Sequence, residues 1–208
     1  MTVTPKKVVK RIIDDKDVHK VSALVYREKI YKHLIRLSPE DRYLRFGYTV
    51  GNEAIKKYVD KISPDDNIFV IFNDDLQIIA MAHMSIDENK IGEIGFSVNK
   101  ECRKKNHATK LFQRALITAK VLGLTELYVV FLPENRAMRE SAQKFGMEIQ
   151  KVDGDMTGRK KLKQISPIEL FEYAIAQQMN LFDFIVKANF SQFRLLKRVL
   201  TIEPKKGK

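Results

Sequence analysis

The sequence predicts a mixed α/β sheet with a helical extension, and three observations carry that prediction. Three apolar runs, 68–72 (IFVIF), 77–86 (QIIAMAHMSI) and 91–98 (IGEIGFSV), follow one another across the polar turns Asn73-Asp74-Asp75 and Asp87-Glu88-Asn89-Lys90. Apolar runs this close together imply an antiparallel meander. From Ala108 the pattern alternates between helical and strand periods, which places further strands beside the meander. After Ser166 only a helical pattern remains. A length of 208 residues fits one α/β domain, 1–165, with an extension, 166–208.

The elements follow in order. Residues 7–13 (KVVKRII) read as a first strand. Residues 14–37 read as a helix, with Val18, Val21, Leu24, Val25 and Ile30 near helical spacing. Ser38-Pro39-Glu40-Asp41 reads as a helix start, with a capping serine, proline at the first helical position and an acid three residues on. Residues 52–62 read as another short helix, closed by the turn cluster 63–67 (SPDDN). After the meander, Leu111, Phe112, Ala115, Leu116, Ala119 and Leu122 describe one helix face, capped by Gly123. ELYVVFL (126–132) is a strand. Ala137, Met138, Ser141, Ala142 and Phe145 line a further helix ending at Gly146. MEIQKV (147–152) begins another strand, and 158–165 the last. Ser166-Pro167-Ile168-Glu169 is a second capping box. It opens a tail holding Phe171, Tyr173, Phe182, Phe184, Phe190 and Phe193.

Composition narrows the class of function. Hydrophobic residues make up 44%, which excludes a disordered chain. Cys102 is the single cysteine, so an intrachain disulfide is impossible and a reducing compartment is expected. The N-terminal residues hold no signal-like apolar stretch, and no run reaches the roughly 20 apolar residues of a membrane span. The expectation is a soluble cytoplasmic protein. The net charge is +12, and the stretch 159–208 carries eleven Lys/Arg against four Asp/Glu. Such a balance suits an anionic partner, whether phosphate groups, nucleic acid or a membrane surface, or a solubilising surface. Four scattered histidines and one cysteine give no metal-ligand spacing, and no metal is expected.

Chemistry concentrates where the run 91–98 meets the helix after Ala108. The loop Asn99-Lys100-Glu101-Cys102-Arg103-Lys104-Lys105-Asn106-His107 is basic and polar. The first backbone N–H groups of a helix lack internal partners and sit at the positive end of its dipole. Such a junction is built to hold a phosphate or pyrophosphate.

Arg103-Lys104-Lys105-Asn106-His107-Ala108 resembles the acetyl-CoA signature of the GNAT superfamily of N-acetyltransferases, Arg/Gln-x-x-Gly-x-Gly/Ala. Asn106 stands at a glycine position, and asparagine is the non-glycine residue that best tolerates positive φ. Asn135 after ELYVVFL and Gly146 eleven residues later match the family's downstream spacing. The segment LSPEDRYLRF is similar to a helix common in bacterial members. Together these cover roughly residues 6–163.

The resemblance implies an enzyme that transfers an acetyl group from acetyl-CoA to a primary amine by direct attack. It implies a V-shaped opening between the fourth and fifth strands, with Phe96, Ser97 and Val98 pairing with the pantetheine arm. Arg103, Lys104, Lys105, Asn106, His107, Ala108 and Thr109 would hold the pyrophosphate, and Asn135 would line the arm. Glu93 occupies the place of the family's base, and partial burial among Ile91, Ile94 and Phe96 is expected to raise its pKa. The family's tyrosine acid falls at Ala142, which leaves Ser141, Tyr128 or no acid at all. His83 is expected to be structural. His107 is expected to donate to a phosphate or to lie exposed on the first helical turn. Cys102 is expected to pack.

Small-molecule or peptide amines are the implied acceptors. Glu40, Asp41, Glu53, Asp60, Asp65 and Asp66 are acids that would attract a cationic amine or simply cover the surface. A homodimer through the C-terminal helices is one expectation for the tail. Two rival readings use the same residues: an acyl-CoA-binding sensor of weak activity, favoured by Asn106 and Ala142, and nucleic-acid or membrane association through the basic tail.

Overall fold

Seven strands in the order β1-β2-β3-β4-β5-β7-β6 make one mixed sheet in a computed structural model that describes residues 17–200. The strands are β1 (Val18–Val21), β2 (Asn67–Phe72), β3 (Ile78–Ile86), β4 (Ile91–Val98), β5 (Glu126–Phe131), β6 (Glu148–Val152) and β7 (Asp155–Lys161). The helices are α1 (Ala23–Ile35), α2 (Pro39–Phe46), α3 (Asn52–Lys61), α4 (His107–Val121), α5 (Arg136–Lys144) and α6 (Pro167–Leu200).

The meander is present. β2 pairs β3, and β3 pairs β4, both antiparallel. β2 is buried along its whole length because both faces are covered. On one face Ile68, Val70, Ile78 and Met81 pack with Ile30 and Leu34 of α1 and Ile55 and Val59 of α3. On the other, Phe69, Ala82, Ile94, Phe96 and Val129 pack with Leu111, Phe112 and Ala115 of α4 and Ala142 of α5. Helix starts are capped as their residues dictate. Ser38 Oγ accepts from the Asp41 N–H, and Ser166 and Glu169 exchange backbone-to-side-chain bonds of 2.9 and 3.2 Å.

Three expectations need correction or fall outside the structure. The strand expected at 7–13 lies outside the described residues. Residues 18–21 are a strand, not the first turn of a helix. Val18 pairs with Ile71 and Val21 with Ile68 at the sheet edge, and the helix begins at Ala23. In four residues, valines at i and i+3 fit a helical period as well as a strand. The last strand spans 155–161 rather than 158–165. Asp153 and Gly154 adopt φ of 51° and 96°, a two-residue hairpin turn that starts the return strand at once.

The tail forms one 34-residue helix, about 50 Å long at 1.5 Å per residue. Its first half lies along α4 and across the β1 edge. Lys120 Nζ meets Glu169 at 2.5 Å, and Arg114 donates to Gln177 at 3.2 Å. Asn180 donates to the Val18 carbonyl at 2.5 Å, and His19 pairs with Asp183 at 3.1 Å. Phe184 packs near Phe72 and His19. Phe171, Phe182 and Phe190 are exposed. No helix among the described residues is long and apolar enough to cross a membrane.

Candidate active site

β4 and β5 run parallel but pair over three rungs only: Ile91 with Glu126, Gly92 with Leu127 and Glu93 with Tyr128. Gly92 permits this approach, because a Cβ there would sit 2.8 Å from Leu124 and 3.0 Å from Leu127. Beyond Glu93 the strands diverge. β4 continues along β3 to Val98, and β5 continues along β7 to Phe131. The stretch Ile94–Val98 therefore has no strand on its β5 side, and its backbone groups there await a partner. A cavity of about 630 Å³ fills the opening. The ring stack Phe96–Phe112–Phe145, with centroids 5.3 and 4.1 Å apart, ties β4, α4 and the end of α5 together beneath it.

The first turn of α4 closes one end of this cavity. Asn106 is the N-cap, at φ 60°, ψ 14°, and its side chain makes no cap bond. The loop thus has the left-handed residue that its sequence allowed. His107, Ala108 and Thr109 line the cavity, so the first-turn N–H groups face it without a side-chain cap. His107 is half-buried rather than exposed, and its Nδ1 is buried without a hydrogen-bond partner. Burial lowers its pKa, which keeps the ring neutral at pH 7. Arg103 and Lys104 also line the cavity, and Arg103 is bridged to Asp41 of α2. Lys144 of α5 adds a cation, held 3.3 Å from the Thr109 hydroxyl. Uncapped N–H groups, an orphaned imidazole nitrogen and three basic side chains fit a pyrophosphate. Cys102 is buried against the same cavity.

Ten of the twelve residues singled out in the sequence converge here. Phe96, Ser97, Val98, Arg103, Lys104, Asn106, His107, Ala108, Thr109 and Asn135 all line the cavity. Lys105 is exposed and does not. Asn135 is the cap of α5, accepting from the Met138 N–H at 3.1 Å and donating to the Leu44 carbonyl at 3.5 Å.

Glu93 stands outside the cavity wall, on the last rung before the strands part. It is exposed, not half-buried. Strand residues alternate faces, so Ile94 and Phe96 turn toward α4 while Glu93, Gly95 and Ser97 turn the other way. Tyr128 Oη donates to Glu93 Oε2 at 3.0 Å. Burial and the neighbouring Glu93 carboxylate push the Tyr128 phenol up to about 12, so it remains a donor at neutral pH. Ala142 is fully buried, packed 3.3 Å from where a Gly158 Cβ would lie. That position faces the sheet, while Ala137, Met138 and Ser141 face the cavity.

Several site residues escaped the sequence. α2 contributes Leu44 and Arg45 to the cavity beside Asp41, which the sequence offered as an acid for a cationic amine or as plain surface and which pairs with Arg103. His33 of α1 is fully buried. It donates from Nδ1 to the Ile78 carbonyl at 3.1 Å and accepts from Ser97 Oγ at 2.8 Å. Burial lowers its pKa to about 4. His83 is a structural bridge, hydrogen-bonded to Asp66 at 2.9 Å and Tyr58 at 2.5 Å. Among the described residues no group of His, Cys, Asp or Glu is arranged to hold a metal ion.

The model of the acetyltransferase (GNAT) family matches residues 29–147, more than half of the chain. The chain belongs to the GNAT acetyltransferase family. Its activity is therefore acyl transfer, and its opened sheet is the family's fold. Solved structures agree on the fold. The GNAT domain of S. lividans PAT is 17% identical, with a TM-score of 0.58 over 70% of this chain and 89% of that one. A phosphinothricin N-acetyltransferase, itself described as putative, is 17% identical, with a TM-score of 0.57 over 71% and 99%. Ribosomal-protein-S5-alanine acetyltransferase from Vibrio fischeri is 14% identical, with a TM-score of 0.55 over 72% and 94%.

Proposed function

We propose that this GNAT acetyltransferase takes acetyl-CoA into the opening between β4 and β5 and transfers the acetyl group to a primary amine. The observation that carries the reading is the termination of β4–β5 pairing at Glu93, beside a cavity whose far end is the uncapped start of α4. The α4 turn, with Arg103, Lys104, His107 and Lys144, would hold the pyrophosphate. The free edge at Phe96–Val98 would pair with an extended amide chain, as a sheet edge accepts an added strand. Acetyl-CoA supplies an activated acyl carbon on a thiolate leaving group.

Glu93 is the candidate base. It takes a proton from the acceptor ammonium, the freed amine forms the new N–C bond as the C–S bond breaks, its electron pair leaving on sulfur, and the second N–H proton passes from the nitrogen to the thiolate through water. Tyr128, bonded to Glu93, orients that carboxylate. Ser141 Oγ is committed to the Ala137 carbonyl at 2.9 Å, and no separate acid is required for a thiolate. The exposed apolar side chains of α6, Phe171, Leu181, Phe182 and Phe190, support the homodimer expected through the C-terminal helices.

The reading is tested by titrating coenzyme A calorimetrically and by following thiol release from acetyl-CoA across a panel of primary amines. Binding with thiol release is the expected result. Binding without release from any amine favours the sensor reading instead.

A further inference from the structure

Arg45 is the cation that α2 brings to the cavity, one turn after Asp41, the partner of Arg103. It lines the cavity from α2, and its guanidinium lies flat on β4 at Gly95. A Cβ on residue 95 would stand 2.4 to 2.6 Å from the guanidinium carbon and nitrogens, so only glycine admits it. The rings of Phe46 and Tyr58 flank it, with centroids 5.2 and 5.8 Å away.

A single chain of hydrogen bonds holds it there. Arg45 Nη2 donates to Tyr58 Oη at 3.1 Å. Tyr58 donates to His83 Nδ1 at 2.5 Å, and His83 Nε2 donates to Asp66 at 2.9 Å. Burial keeps the Tyr58 phenol and the His83 imidazole neutral. The chain therefore orients the guanidinium without placing an anion on it. Among the described residues no carboxylate pairs with Arg45, and its buried Nε has no hydrogen-bond partner. Arg103, by contrast, is already paired with Asp41. An oriented, half-buried guanidinium with no carboxylate partner among the described residues suits a carboxylate in charge and planar donor geometry.

Gly95 lies two residues beyond Glu93 on the same face of β4, about 7 Å away along the strand. We infer that Arg45 is the carboxylate-recognising residue of the acceptor subsite, and that the acceptor is an amino acid-type amine carrying a carboxylate a few bonds from its amino group. The inference rests on the acetyl-transfer reading above, with the amine at Glu93 and the carboxylate at Arg45.

The test is calorimetric titration, in the presence of coenzyme A, of the N-acetylated forms of the twenty amino acids and of their carboxamides. At least one carboxylate is expected to bind, with its carboxamide weaker by on the order of 30-fold. Arg45→Gln is expected to erase that difference while leaving affinity for coenzyme A within about twofold, and Arg45→Lys to restore part of it. Tyr58→Phe, which unties the guanidinium, should weaken carboxylate binding by a smaller factor. The carboxamide comparison uses the wild-type protein and does not depend on any variant folding. Equal binding of acids and amides, no binding by either set, or Arg45→Gln weakening coenzyme A alone would overturn the assignment. Thiol release from acetyl-CoA with the free amino acids separates the two readings. Carboxylate-selective binding without release would leave the subsite standing and count against acetyl transfer. Release without carboxylate selectivity would do the reverse.

Discussion

Asn106 sits in the left-handed region at φ 60°, a conformation that costs most residues roughly 1–2 kcal/mol. Asn106→Gly should therefore keep both stability and coenzyme A affinity. Asn106→Val should lose about 1–2 kcal/mol in urea denaturation and weaken coenzyme A, because a β-branched side chain resists the turn that aims the α4 N–H groups. Glu93→Gln should lower kcat by about 10² to 10⁴ with coenzyme A affinity unchanged, measured by thiol release and calorimetry. Both residues were legible in the sequence, since one carries the loop signature and the other its strand position. The exposure of Glu93 was not. It depends on how far α2 and β5 cover the face that carries Glu93, and the alternation of the run 91–98 shows only that Glu93, Gly95 and Ser97 share a face opposite Ile94 and Phe96. Arg45 and His33 were hidden for another reason: their partners, Gly95, Ser97 and Ile78, lie more than forty residues away.

His33 makes a pH prediction. Its pKa is about 4 in the fold against 6.5 for an ordinary histidine. Between those values the unfolded chain binds a proton that the folded chain refuses. Stability is thus fully present above about pH 6.5 and falls as pH drops toward 4, by on the order of 3 kcal/mol from this group. Burial lowers His19, His83 and His107 too, and they add to the same trend. Urea midpoints between pH 4 and 7 should rise with pH, and His33→Gln should flatten part of that rise.

At the scale of elements, the Phe96–Phe112–Phe145 stack joins strand, cofactor helix and α5. Phe112→Ala should cost about 3–5 kcal/mol of stability, read as a lower urea midpoint, and coenzyme A affinity should fall with it. The helices and the meander were readable because their periods run long enough to decide. β1 was not, because a four-residue edge strand is decided by its pairing with β2. β7 began earlier than its apolar residues suggest, because the Asp153-Gly154 turn sets the register. α6 was visible as a helix, yet its seat across α4 and β1 rests on polar contacts spread over 160 residues of sequence.

For the whole molecule, the sheet is two sheets joined at three rungs, and the join places the opening. The sequence showed the strands and the loop, while the divergence depends on β4 staying with β3 and β5 with β7. The basic charge divides in purpose. Arg103, Lys104 and Lys144 line the cavity, while the second half of α6 carries Lys187, Arg194, Lys197 and Arg198 in its sequence. If α6 joins two copies, sedimentation equilibrium should report a dimer, and Phe182→Glu should yield monomers that still bind coenzyme A. A monomeric wild type would remove that role for α6. A crystal structure with coenzyme A tests whether the opening between β4 and β5 holds the acyl donor. Pyrophosphate is expected on the N–H groups of His107–Thr109 and the pantetheine chain along Phe96–Val98; coenzyme A bound elsewhere, with this opening empty, would contradict that assignment.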